Sequence, residues 1–222
     1  MDEGFDTVNW VHNMVANIRR LGGLGIVHLF YDEKTIARHF RRQGAQIGED
    51  CSILVHSLGD EPYLVKIGDH VTIAGGVVFA THDGAAWVGR REVADLQVFG
   101  PIVIEDNCVV GHGAILFPNV RIGRDSIVGA GSTVISDVPP ETIVMGVPAR
   151  PIGSVGKYRR KAIERWKEQR PPDAVIEPGE DWWHSRHYTK NRSRLRRHLT
   201  ALFGNGSRPE QDDQRTREES VK

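Results

Sequence analysis

The sequence predicts a parallel β-solenoid, and three observations predict it. An aliphatic residue returns every six positions as Ile104, Val110, Leu116, Ile122, Val128 and Val134. The position four after each of the first five is small or modest in volume: Cys108, Ala114, Val120, Ser126 and Ser132. Gly follows the aliphatic residue in Val110-Gly111, Ile122-Gly123 and Val128-Gly129. A helix would need apolar residues near every 3.6 positions and would be weakened by so much Gly. A flat sheet would show strict alternation and turn signals. Six residues instead suit a short strand and a corner, with the aliphatic side chain inward and the small one where coils crowd. In this reading Gly lends the corner its backbone freedom. Each coil buries its apolar side against the next, so stability grows by stacking.

The same phase runs upstream through Ile47-Gly48 and Ile53, then Ile67-Gly68, Ile73 and Phe79, with Val71 and Val77 at the small position. It breaks twice. The step from Ile53 to Ile67 is 14 rather than 6, which leaves about eight residues over. The step from Phe79 to Ile104 is 25, and the segment from Thr81 to Pro101 has no repeat phase, so it reads as an extruded loop. Long loops on a rigid solenoid usually carry function.

Helical patterns flank the repeats. Residues 6–21 read as an amphipathic helix, and residues 33–43 as a second with Asp32 as cap and Gly44 as stop. Residues 154–169 read as a helix capped by Ser154 and ended by Pro171-Pro172, with Val155, Tyr158, Ala162 and Trp166 on its apolar face, turned to the last coil. Residues 186–203 read as a basic helix, and the tail from Gly204 is polar and expected to be disordered. The organisation expected is a helical segment 1–45, a repeat domain 46–152 with loop 83–100, a helical extension 153–203 and a tail 204–222.

With 39% hydrophobic and 26% charged residues the profile is that of a globular protein. The acidic N-terminus has no apolar stretch of a secretory signal, and no run is long enough to span a membrane. Cys51 and Cys108 lie outside metal-type spacing, so no disulfide framework is expected and the cytoplasm is the default location. The net charge of zero conceals a split. Residues 1–149 hold 11 basic and 18 acidic side chains, whereas residues 150–200 hold 14 and 6. The basic segment suits an anionic ligand, and it leaves room for a peripheral membrane contact. No GxGxxG opens a helix after a strand and no GKS or GKT occurs, so neither a dinucleotide fold nor a P-loop is indicated. No nucleic-acid partner is expected.

The [LIV]-G-x-x-x-x pattern with a small fifth residue resembles the hexapeptide-repeat acyltransferases, including the galactoside, maltose and xenobiotic acetyltransferases. The resemblance covers about residues 46–152. It implies a single-stranded left-handed parallel β-helix, a triangular prism with three hexapeptides per coil, assembled as a homotrimer. It also implies an acetyl-CoA-dependent O-acetyltransferase acting on a hydroxyl of a sugar or glycan intermediate, with no metal expected.

By position at the loop junction, His82 matches the family's general base. An imidazole near neutral pKa can take the hydroxyl proton as attack begins, typically for ~10²–10⁴-fold in rate. His112, after Gly111, matches the residue whose backbone amide meets the thioester region and can bind an oxyanion. Gly129 and Ala130 would let a thin pantetheine arm lie along the coils. The segment Asp137-Val138-Pro139-Pro140 and then Met145 to Arg150 resembles the family's closing sequence, which assigns Pro148 and Arg150 to CoA. Lys157, with Arg159 and Arg160, is a candidate for its 3′-phosphate. On the acceptor side stand His56, Asp83, Trp87, Arg90 and Arg91. His56 is placed in its repeat as His82 is in its own, so the two are expected to stack on one edge. Asp83 either fixes the imidazole tautomer, binds acceptor or stays solvated. Val109 departs from the Trp that those sugar enzymes often carry three positions before His112, so the acceptor wall is expected to differ.

Other readings stay open on the same column. A γ-carbonic-anhydrase-like zinc hydratase would draw on His56, His70, His82 and His112, although the family's close histidine pair is missing. An N-acetyltransferase or xenobiotic acetyltransferase would use the same machinery, and a non-enzymatic scaffold would use only the surface.

Overall fold

A computed structural model describes residues 36–172 and 186–204 of the chain. The predicted helix over 6–21, residues 33–35 of the second and the tail beyond 204 lie outside the described residues. The described residues fall into two compact units, divided between Tyr158 and Arg159.

The first unit is a column with three faces. Sheet one contains β1 (Gln46–Ile47), β3 (Val65–Ile67), β6 (Ile102–Ile104) and β9 (Val120–Ile122). Sheet two contains β2 (Ser52–Ile53), β4 (Thr72–Ile73), β7 (Val109–Val110), β10 (Ile127–Val128) and β12 (Thr142–Met145), and it ends on β13 (Arg150–Ser154). Sheet three contains β5 (Val78–Phe79), β8 (Ile115–Leu116) and β11 (Thr133–Val134). The chain visits the sheets in that order, coil after coil. All pairings are parallel except β12 with β13.

The hexad phase predicted this core. Ile53, Ile67, Ile73, Phe79, Ile104, Val110, Leu116, Ile122, Val128 and Val134 are all buried, as are the small partners Cys108, Ala114, Val120, Ser126 and Ser132. The two polar members do not go unsatisfied: Ser126 Oγ donates to Pro139 O at 2.8 Å and Ser132 Oγ accepts from Gly146 N at 3.2 Å.

Register measures the interruptions. Ile104 pairs with Ile122 and Leu116 with Val134, 18 residues on. Ile67 pairs with Ile104, 37 on, so 19 residues are extruded between β5 and β6. Ile47 pairs with Ile67, 20 on, so only two residues are inserted before β3. The expectation of about eight surplus residues there is corrected: Leu58, fully buried, supplies the missing leg on the third face without forming a strand.

The glycines work differently from the expectation. At the edge between faces one and two, the left-handed corners are held by Asp50, His70, Asn107, Asp125 and Glu141, all near φ +55°. Asp, Asn and His tolerate that conformation better than most residues, and three of these side chains bond from coil to coil. His70 Nδ1 lies 2.8 Å from Asn107 Oδ1, and Asn107 Nδ2 donates to Asp125 Oδ1 at 2.5 Å. Gly111 and Gly123 have no positive φ. A Cβ there would lie 2.5 Å from Ala130 N and 2.6 Å from Pro140 N. They are glycines because the next coil passes too close.

α1 (Ile36–Arg42) buries Ile36, Ala37 and Phe40 and lies against β1. Arg41 Nε donates to Ile47 O at 2.8 Å, and Gly44 turns the chain at φ +97°. α2 (Val155–Gln169) runs across the division between the units. Ser154 Oγ accepts from Lys157 N at 3.4 Å, as a capping residue would. No residue of α2 is buried, and Tyr158 is more than half exposed. In the second unit, α3 spans Arg186–Phe203. No helix among the described residues is long and apolar enough to cross a membrane.

Candidate active site

The extruded loop leaves the column at the edge between faces three and one. His82 pairs there with Phe99 across an antiparallel bridge, and Gly100 N donates to Thr81 O at 3.0 Å, which pins both stems of the loop. The Phe99 ring meets the imidazole edge-on with centroids 6.3 Å apart. The His82 side chain remains 43% exposed, open to a ligand from outside.

Its partner is Glu61, which sequence reasoning missed. His82 Nδ1 lies 3.0 Å from Glu61 Oε2, and Thr81 Oγ1 donates to the same oxygen at 2.5 Å. The hydrogen bond to Glu61 raises the His82 pKa against a smaller opposing effect of burial, and the charges of Glu61, Asp60 and Asp83 add to the rise. Burial pushes the Glu61 carboxyl up, but the hydrogen bonds from Thr81 and His82 together outweigh it and hold it below the usual range. A signal for Glu61 was readable. The pairs Ile47–Ile67 and Ile53–Ile73 both lie 20 apart, and the same offset carries position 61 to position 81.

Asp83 does not reach the imidazole as a hydrogen-bond partner. Its carboxylate accepts from Ala85 N at 2.8 Å and caps the 3-10 helix Gly84–Arg91. Trp87 is 71% exposed, and the Arg90 guanidinium lies 5.3 Å from its ring centre. Arg90 Nε also donates to Leu96 O at 3.0 Å, so it braces the loop while leaving the indole face outward. Arg91 is exposed at the end of that helix.

The donor candidates gather on a different edge, between faces two and three. Gly131 N donates to His112 O at 2.8 Å, and Gly113 N to Gly75 O at 3.1 Å, so consecutive coils stack there. Ala130 and His112 are exposed. Among the described residues, neither the His112 nor the Ala130 backbone N–H donates to a protein acceptor. The β12–β13 hairpin closes the same edge. Thr133 N donates to Gly146 O at 3.0 Å and Ala149 N to Thr133 O at 2.8 Å, which holds the segment with Pro148 against Thr133, while Gly129 lies under the Met145 side chain. Arg150 is exposed and donates only locally, to Ala149 O at 3.0 Å. Lys157 is exposed in the first turn of α2.

His56 follows β2 at this second edge, whereas His82 follows β5 at the third, so the two histidines do not stack. An equal offset from the aliphatic residue means only an equal place in a hexad, and successive hexads lie on different faces. His70 is at the first edge, which spreads the four histidines over all three. Among the described residues no group of three His, Cys, Asp or Glu is placed to hold a metal.

The family model for bacterial transferase hexapeptide (six repeats) matches residues 101–136. Protein CapG of Staphylococcus aureus is 44% identical over 127 residues, covering 56% of this chain and 74% of that protein. The chain belongs to the bacterial hexapeptide transferases. It is an acyltransferase, and several of the relatives it matches are named acetyltransferases. Galactoside O-acetyltransferase of Escherichia coli K12 is 36% identical over 95 residues, covering 43% of this chain and 46% of the relative, so this match spans about half of that enzyme. A solved hexapeptide-repeat containing acetyltransferase of Vibrio cholerae, complexed with acetyl coenzyme A, shares 27% identity with a TM-score of 0.46, covering 70% of this chain and 92% of that one. This hexapeptide transferase therefore presents an imidazole on one edge of its column and a glycine-lined, amide-bearing strip on another.

Proposed function

We propose that the chain is an acetyl-CoA-dependent O-acetyltransferase that acts on a hydroxyl of a sugar or glycan intermediate. Its column is left-handed and assembles as a homotrimer. Acetyl-CoA is the co-substrate, and the acceptor class is supported by the name of the galactoside relative.

One observation carries the reading. His82 is half exposed at the mouth of the loop, and its inner nitrogen is engaged by a carboxylate. The outer nitrogen, Nε2, is then available as a base. The acceptor hydroxyl gives its proton to Nε2 while its oxygen attacks the thioester carbonyl carbon. The carbon–sulfur bond breaks as the tetrahedral adduct collapses, and the thiolate leaving group recovers the proton from the imidazolium. The His112 amide offers the adduct's oxyanion a hydrogen bond. Trp87 offers a flat face to a sugar ring.

The base and the donor strip sit on different edges, so one column cannot bring them to the same thioester. A neighbouring column must lend its second edge to this chain's third, which is why the active form is an assembly with the donor in a groove between chains. Arg150 and Lys157 supply positive charge to its phosphates.

A thiol-release assay with acetyl-CoA and a panel of sugars, nucleotide sugars and amines tests the proposal. Turnover with a hydroxyl acceptor that disappears in His82→Ala, with acetyl-CoA affinity retained, is the expected result. Undiminished turnover in that variant rejects His82 as the base, and turnover only with amines rejects the O-acetyl reading.

A further inference from the structure

The segment between β2 and β3 delivers one carboxylate to the third edge. Glu61 immediately precedes the 3-10 helix Pro62–Leu64, whose Pro62 opens the turn. The Glu61 side chain is only 13% exposed, against 43% for His82. A carboxylate so covered is costly unless it is bonded, and here one oxygen takes both the Thr81 hydroxyl and the His82 ring nitrogen. Thr81 is itself 1% exposed, so the oxygen that meets His82 is also held by a buried donor.

An ionised carboxylate only accepts. Its 3.0 Å partner, Nδ1, must therefore carry the ring proton, and Nε2 is left with a lone pair directed away from Glu61. We infer that Glu61 is a positioning residue: it selects the His82 tautomer whose Nε2 can accept a proton, and it stabilises the imidazolium formed when Nε2 does so. This inference rests on the reading of His82 as the base.

The charged groups that face the ring are Glu61 and Asp60 from the preceding coil and Asp83 from the loop. Asp83 is committed to Ala85 N, and Asp60 is exposed, so Glu61 is the group in hydrogen-bond contact. The raised His82 pKa and the lowered Glu61 pKa agree with this pairing. Below its pKa the imidazole is already protonated and cannot act as base. Activity therefore falls on the acid side at a pH above that of an unpaired histidine.

Two readouts on the full chain test the inference. Nitrogen NMR of ¹⁵N-histidine-labelled protein reads the tautomer and titration of His82 without any acceptor, with His82→Ala to assign the signal. The expected result is a proton on Nδ1. In Glu61→Gln the titration and the acid limb of the kcat/KM profile move to lower pH. Its kcat drops on the order of 10²-fold, at the low end of what a general base contributes, with acetyl-CoA KM unchanged. Glu61→Asp, which keeps the charge, recovers part of the rate and of the pH shift. A proton on Nε2 in the wild type overturns the inference, and so does a Glu61→Gln enzyme with wild-type kcat and acid limb. A thermal scan identifies a misfolded Glu61→Gln, in which case the wild-type tautomer and Glu61→Asp still decide. If His82→Ala keeps turnover, the base reading fails separately, whatever the tautomer.

Discussion

Ala130 packs on Gly111 so closely that a Cβ at 111 would lie 2.5 Å from the Ala130 nitrogen and 2.9 Å from its Cα. Both clashes are with backbone, which cannot swing aside. Gly111→Ala should therefore push two coils apart where the donor is proposed to lie. We expect a loss of about 1–3 kcal/mol in stability, the usual range for overpacking, together with a raised acetyl-CoA KM. Denaturant unfolding and donor titration check both, and wild-type stability would show that the coils can spread freely.

The column and its loop should respond in opposite ways to truncation. Leu116 is fully buried in the third sheet, and Leu116→Ala should cost about 2–5 kcal/mol. The 3-10 helix of the loop buries none of its residues, and Trp87 is largely exposed. Trp87→Ala should leave the thermal midpoint within a few degrees, because surface changes usually fall within about 0.5 kcal/mol, while raising acceptor KM. Loss of stability without any change in acceptor KM would assign the indole to packing instead.

Arg150 is exposed, and among the described residues its guanidinium bonds only its own neighbour's carbonyl, so it is available to phosphate. Arg150→Ala should raise the apparent constant for acetyl-CoA with kcat nearly unchanged, the signature of lost uniform binding. A fall in kcat at constant KM would place Arg150 in the chemical step.

The Glu61–His82 pair also links folding to pH. The folded His82 pKa is raised, so its contribution to stability is fully present below the unfolded value of about 6.5 and is lost as pH rises through the folded value. The folded Glu61 pKa is lowered, so its contribution is present above the unfolded value of about 4.3 and is lost as pH falls through the folded one. The stability difference between wild type and His82→Ala should thus be largest in mildly acidic solution and shrink in both directions. Chemical denaturation across that range measures it, and a flat difference would mean that the pair does not form in solution.

Much of the column was legible in advance because a hexad repeat is a strong, redundant signal. The hexad residues Ile104, Val110, Leu116, Ile122, Val128 and Val134 are all buried, as their phase required. The extruded loop was legible too, since residues that lack the phase cannot join the sheets. What escaped depends on contacts between coils. The role of Gly111 is close approach and not corner freedom, which only the neighbouring Ala130 reveals. His56 looked equivalent to His82, although hexad position alone says nothing about which face follows. Asp83, beside His82 in sequence, serves the loop's own cap. Glu61, 21 residues from His82, is its partner, and the step of 14 before β3 hides it, because most of that step is a leg of the column without hexad phase and only two residues are inserted.

Subunit complementation tests the central claim most directly, because the account divides each active site between the His82 edge of one chain and the Ala130 edge of another. His82→Ala removes the base and keeps the donor strip, whereas Ala130→Trp fills the exposed strip and keeps the base. Each protein alone should be inactive. Unfolded together in equal amounts and reassembled, they should recover about a quarter of wild-type thiol release, the fraction of interfaces in a randomly mixed cyclic trimer that joins two intact halves. Mixed assemblies that form but stay inactive would contradict the shared site.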